Sequence, residues 1–391
     1  MFFSLFLMDI PFARSMNDFA GEPNDIARLR GEREETGLPV YDLASANVND
    51  AGIYFPEDIL RDAVKHGLAQ SKKYVPDSKG QLVARRAIAD YYRDGISPDH
   101  ILVTPGTSQS YLYLFKLLAN PGDEILVPKP VYPLFEYIAR LAEVTLTYYD
   151  LKVDDGKWVV DMDSIMRGIT PRTRAITLIS PHNPTGHVLS SDEARVIASL
   201  ATIKKLPLIV DEVFCEFAYG DDDSSRDAIE LPQRNEFKSC PLVFTLNGFS
   251  KMFALPGVKI GWIAISGNDD LVSRAVSALE TIADTFLATS EPMQFTVPEI
   301  FEKGRDFLDY YRGEVGRRRQ SARGLYSILP QGGFYGVRTI DGRDEHEFVL
   351  YALREFGVLL HPGYFFGVDD HAVVFSFLQK ESVTDWSFLD V

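Results

Sequence analysis

The sequence predicts an α/β protein: a three-layer large domain with a mostly parallel central sheet, joined to a smaller α+β domain. Three observations predict it. Short β-rich runs alternate with helical patterns from about residue 99 to 266. Several of those runs are near-continuously apolar, as strands covered on both faces require. Beyond about residue 290 the order changes to long helices followed by short strands, which marks a second unit. A length of 391 residues suits one large domain with a companion.

The run "HILVT" ends at Thr104, and Pro105-Gly106-Thr107-Ser108 opens a helix after it. "EILVP" and "VTLTYYDL" come next, then "RAITLIS", which leads into Pro181-His182-Asn183-Pro184-Thr185-Gly186. The stretch "SSDEARVIASLATIKKL" reads as a helix, with Ser190 and Glu193 in a capping-box pattern and Val196, Ile197 and Leu200 on one side. "LPLIV" ends at Asp211, "LVFTL" precedes Lys251, and "VKIGWIAIS" closes the alternation. Residues near 291–328 read as one or two long helices, followed by "GGFYGVRTI", a helix from about 344 to 357, "GVLLH" and "AVVFSFL". The expected division is a large domain over 51–290 and a small domain from 1–50, with an N-terminal arm, and 291–391.

Composition allows a sizeable core, with 46% hydrophobic and 25% charged residues. A formal net charge of −16 repels phosphate backbones, which argues against nucleic acid while leaving room for a local anion pocket. Cys215 and Cys240 make neither a disulfide framework nor a metal pattern, as expected in a reducing cytoplasm. The opening "MFFSLFLMDI" lacks a basic flank and is shorter than a membrane span. It reads as an arm packing on a neighbour, or as an overlong start with Met8 or Met16 as initiator, in preference to a secretory signal.

Ligands in such sheets bind beyond the carboxyl ends of the strands. Four polar groups collect there: the Gly106 turn, the Asn183 turn, Asp211 and Lys251. Singly, each has an ordinary reading as a helix cap, a turn, a solvated acid or a surface charge. Together they suit one cofactor. A lysine amine forms a Schiff base with an aldehyde, a carboxylate keeps a pyridinium protonated, and a helix N-terminus with a cation holds a phosphate ester. That set describes pyridoxal 5′-phosphate.

The strings "SPHNPTG", "IVDEVF" and "SKMFALPGVKIGW", in this order and spacing, resemble the class I/II aminotransferase family of fold type I pyridoxal-phosphate enzymes. The resemblance runs from about Tyr41 to Leu378. It implies that Lys251 carries the cofactor and shuttles the proton, and that Asp211 partners the pyridinium. It gives Asn183 to the ring's phenolic oxygen and Tyr132, in "PVYPLF", to the ring face, where a core tyrosine is the alternative. Gly106, Thr107, Ser108, Ser250 and Lys259 fall to the phosphate. Tyr74 matches a tyrosine that reaches the neighbouring subunit's phosphate, which implies a homodimer with shared sites. No metal is implied.

Three departures matter. Phe214 stands where the family usually has tyrosine, so a donor to the phenolic oxygen is missing. Lys259 stands for an arginine, and Gly248 offers no hydroxyl where serine is frequent, both suggesting a looser phosphate grip. Val374, in "HAVVFSFLQ", falls where the family places its carboxylate-binding arginine, with Arg338 and Lys380 as possible replacements. His361, in "LLHPGYFFG", reads either as a substrate contact or as a structural histidine, and Ala46 replaces a frequent glycine. The expected function is transamination between an amino acid or amine and a keto acid. The alternative is a lyase, decarboxylase or oxidase with atypical carboxylate recognition.

Overall fold

The structure, a computed structural model, describes residues 24–92, 95–219, 231, 233–340, 342–368, 371–383 and 386–389. The N-terminal arm and the alternative initiators Met8 and Met16 lie outside them. After a short β1 (Tyr41–Asp42), the strands β2 (Ile101–Thr104), β3 (Glu124–Lys129), β4 (Thr145–Asp154), β5 (Lys157–Val160), β6 (Thr173–Ile179), β7 (Leu208–Asp211), β8 (Leu242–Gly248) and β9 (Gly261–Gly267) follow. The last eight form one sheet in the order β2-β9-β8-β7-β6-β3-β4-β5. Neighbours from β8 through β4 are parallel, while β9 runs antiparallel to both β2 and β8. The carboxyl ends of β2, β8, β7, β6 and β3 therefore share one edge.

Apolar runs fit this sheet because both faces are covered. Along β3, Ile125 and Val127 join one core cluster with Ile209 and Leu246, while Leu126 joins another with Leu178 and Val210. Helices Thr107–Leu118, Leu134–Ala142 and Asp269–Phe286 pack on the first face, and Met162–Gly168 and Ser191–Lys204 on the second. The capping box at Ser190 and Glu193 forms as its sequence implies. Val196, however, is 50% exposed; Ala194, Ile197, Ala198 and Ala201 make the buried stripe. The small residues let that helix lie close to the sheet.

Strand β5 was not foreseen. Asp155 and Gly156 have φ values of 45° and 71°, the pair of positive angles that a tight hairpin turn needs, so β4 doubles back into β5.

Residues 291–321 hold three helices, Glu291–Gln294, Val297–Lys303 and Arg305–Ser321, in place of one or two. A second sheet pairs β10 (Tyr335–Thr339), β13 (Ala372–Ser376) and β12 (His361–Pro362), all antiparallel. The helix expected over 344–357 is an α-helix at Glu345–Tyr351 that widens into a π-turn at Ala352–Phe356. It stops at Gly357, where φ is 72° and a Cβ would lie 2.5 Å from the Pro39 carbonyl oxygen. Next comes β11 (Val358–Leu359), which pairs in parallel with β1. Leu43 continues that contact: its N–H donates to Leu359, and its carbonyl accepts from Ser376. Residues 41–43 thus join the later strands. Among the described residues, no helix is long and apolar enough to cross a membrane.

Candidate active site

Strand β7 ends at Asp211, whose carboxylate is buried yet doubly bonded: the Val213 N–H donates to Oδ1 at 2.9 Å and the Tyr111 hydroxyl to Oδ2 at 2.8 Å. Burial pushes its pKa up to about 6, against the pull of these two donors. Tyr111 was not foreseen. It lies in the helix opened by Gly106, with its ring 4.6 Å from that of Phe135, and its pattern is that of a core aromatic.

Strand β8 lies beside β7, with Leu246 opposite Asp211. Two residues on, Gly248 turns the chain into the helix Phe249–Met252, which carries Ser250 and Lys251. The Lys251 ammonium donates to the Ala46 carbonyl at 3.2 Å and sits 5.8 Å from the ring centroids of both Phe214 and Phe334. Those rings meet edge to face at 5.0 Å. Apolar burial with no nearby carboxylate among its causes lowers the lysine to about 8. Asp211 and Lys251 thus lie at the ends of neighbouring strands, one acid raised and one base lowered.

The other predicted residues follow the carboxyl ends of the strands or lie farther off. Gly106 caps the helix that begins with Thr107 and Ser108, and a Cβ on it would meet open space. A Cβ on Gly261 would lie 2.8 Å from Gly106 Cα, so β9 and the helix start touch backbone to backbone. Gly248 obeys the same rule. A side chain there would lie 2.8 Å from the Ile260 carbonyl oxygen, so the absent serine follows from close packing of β8 against β9. Lys259 is exposed, in a left-handed conformation with φ 56°, just before β9.

Asn183 follows β6, and its Oδ1 is buried without a hydrogen-bond partner among the described residues. His182 beside it is buried, bonded through Nδ1 to Thr185 Oγ1 at 2.9 Å, and pushed down to about 3 by burial and by His187. Tyr132 follows β3 and is 45% exposed, which overturns the core-tyrosine alternative. Tyr74, 75% exposed, stands off the surface after helix Glu57–Gln70.

Around the missing arginine, one expectation fails. Val374 is fully buried opposite Val337 and His361. Arg338 pairs with Val373 instead, so strand alternation turns it to the other face, where it bonds the carbonyls of Gly324, Leu325 and Leu389. It cannot replace the arginine. The side chain of Lys380 lies outside the described residues.

A parallel sheet with a lysine, a buried acid and a glycine-opened helix on its carboxyl edge defines a fold type I pyridoxal-phosphate enzyme. The chain belongs to the aminotransferase class I and II family, whose model matches residues 39–381. It is 30% identical over 349 residues to the glutamate-pyruvate aminotransferase AlaA of Escherichia coli strain K12, with 84% of each chain covered. It is 28% identical over 364 residues to the aspartate/prephenate aminotransferase of Thermus thermophilus, covering 90% of this chain and 91% of that one. The solved alanine aminotransferase from Pyrococcus furiosus superposes with a TM-score of 0.84 at 25% identity, covering 94% and 95% of the two chains. The protein is a pyridoxal-phosphate-dependent aminotransferase that exchanges an amino group between an amino acid or amine and a keto acid. The residues present fit that cofactor. The space above Gly106 leaves a helix start open to an anion, and the lysine and the buried acid lie at the ends of adjacent strands.

Proposed function

We propose that the transaminase chemistry runs on Lys251 and Asp211, within a homodimer. When bound, pyridoxal phosphate supplies an aldehyde and an electron-withdrawing ring that acidifies the substrate's α-carbon. The Lys251 amine holds the cofactor and then moves the proton from that carbon. Asp211 keeps the proton on the ring nitrogen, and Asn183 donates to the ring oxygen through its amide. Gly106, Thr107, Ser108, Ser250 and Lys259 hold the phosphate, and Tyr132 covers the ring face. Tyr74 serves the partner subunit's site, a role its exposure supports. The working division remains a large domain over 51–290 and a small one from 1–50 and 291–391, in a cytoplasmic protein with Cys215 and Cys240 free.

One observation carries the assignment: the lowered lysine and the buried carboxylate end adjacent strands. Mixing the yellow holoprotein with single amino donors tests it. Bleaching of the cofactor band that a keto acid reverses is the expected result; product formed with no keto-acid requirement would favour a lyase or oxidase.

Two further outcomes follow from the site. A Schiff base needs the neutral amine, so attachment of pyridoxal phosphate to the cofactor-free protein should quicken with pH up to about 8 and then level off. Stopped-flow absorbance reads this. A rate still climbing at pH 10 would mean an ordinary, solvated lysine. Phe214→Tyr should lower the pH midpoint of the cofactor's absorption change, because an added phenol donor favours the deprotonated ring oxygen. Equal midpoints in a spectral titration would leave that oxygen to Asn183 alone.

A further inference from the structure

The turn after β7 carries much of the candidate site. Asp211 supplies the buried carboxylate, the Val213 N–H bonds it, and the Phe214 ring lies against Lys251. Glu212 stands inside this turn, 2% exposed, and none of the roles above uses it. Its N–H donates to the Leu246 carbonyl at 2.9 Å, and its own carbonyl accepts from the Cys215 N–H at 2.9 Å. Successive side chains at a strand end face opposite ways, so Glu212 points away from Tyr111 and toward Arg234.

Arg234 comes from the short helix Gln233–Glu236. Its Nε donates to Glu212 Oε2 at 2.9 Å, and its Nη2 lies 2.7 Å from the same oxygen. The guanidinium sits 5.9 Å from the Tyr91 ring centroid and 5.5 Å from that of Tyr92, both in helix Leu82–Tyr92. It also lines two cavities, of about 840 and 350 Å³, so the ion pair and the rings, more than close packing, fix its place. Around the pair, the Tyr91 hydroxyl bonds Glu216 at 2.6 Å and Cys215 Sγ at 3.2 Å, while the Tyr92 hydroxyl accepts from Trp262 at 2.8 Å. Burial raises Tyr91, Tyr92 and the Cys215 thiol, so these neighbours stay neutral, and Glu216 is matched by Arg312. Beside Asp211, then, the charges are those of Glu212 and Arg234. Two carboxylates one residue apart in a buried site resist ionising together unless a cation cancels one of them.

We infer that Arg234 is a positioning residue for Asp211: it cancels the Glu212 charge and pins the turn that carries Asp211 and Phe214. The inference rests on the proposed role of Asp211 and adds a residue outside the groups assigned to the cofactor. The test compares wild type, Arg234→Met and the double variant Arg234→Met with Glu212→Gln. Cofactor-free wild type should lose stability as pH rises through about 6, where buried Asp211 gives up its proton. In Arg234→Met the unpaired Glu212 carboxylate should move that loss upward by about one pH unit or more. The double variant should return it to the wild-type position or below. In the holoenzyme, kcat should fall roughly tenfold in Arg234→Met, the equivalent of one pH unit, and recover to within about twofold in the double variant. Breaking one side of a buried pair costs more than replacing both, so the double variant decides the case should Arg234→Met fold poorly. Equal defects in the two variants, a double variant that itself fails to fold, or an unmoved pH midpoint in Arg234→Met, overturns the role of Arg234 and leaves Asp211 standing. A wild type without the pH-dependent loss overturns the buried Asp211 itself, and this inference with it.

Discussion

Lys251→Ala is expected to lower kcat by about 10⁴-fold or more while the protein still binds pyridoxal phosphate noncovalently. A positioned proton-transfer group alone is worth about 10²–10⁴, and the proposed role gives this lysine a second task in capturing the aldehyde. Its setting suits both. Wedged between Phe214 and Phe334 and bonded to the Ala46 carbonyl, the amine sheds its proton at about 8. Steady-state rates on the purified variant, with cofactor retention followed by gel filtration and absorbance, decide the matter. Turnover within tenfold of wild type would remove Lys251 from the chemistry.

Asp211→Asn is expected to cost about 10²–10³ in kcat, the scale for losing one buried electrostatic partner of the reacting group. Tyr111→Phe should shift activity the same way by a smaller factor, since it removes one of the two donors that hold the carboxylate ionised. A readout independent of turnover comes from the cofactor-free protein. The Asp211 pKa is raised from 3.8 to about 6 in the folded state, so folding takes up a proton between those values. That contribution to stability is full below about pH 4 and is lost as pH rises through about 6. Thermal melts of cofactor-free wild type should contain this decline, and those of Asp211→Asn should lack it. Identical pH profiles would mean that the carboxylate is solvated, contrary to its burial.

The parts of the candidate site that could be placed from the sequence share a physical reason. Asp211, Asn183 and Lys251 each follow an apolar run that only a doubly covered strand can use, so their shared edge could be read from order alone. Tyr111 was illegible because a phenol inside a hydrophobic helix reads as packing; its role appears only when β7 brings Asp211 to it. The Asp155-Gly156 pair is a turn signal between two short alternating runs, and reading it as a hairpin needed the second run, Lys157–Val160, to be taken as a strand. Arg338 was misread for a simpler cause. Proximity in sequence says nothing of parity, and one residue along β10 reverses the face. The buried stripe of helix Ser191–Lys204 slipped in the same way, because alanines contribute close approach that a search for bulky residues overlooks.

The small crossing at Gly357 has a bearing on how loss-of-function variants are sorted. The Ala46 oxygen that accepts from the Lys251 amine belongs to a segment clamped by β1 against β11, and that clamp closes only because position 357 lacks a side chain. A lesion near the polypeptide's far end would therefore surface as a fault in the lysine's aim, with every group around the cofactor unaltered. Sequence distance from Lys251 is a poor guide to which changes silence this enzyme.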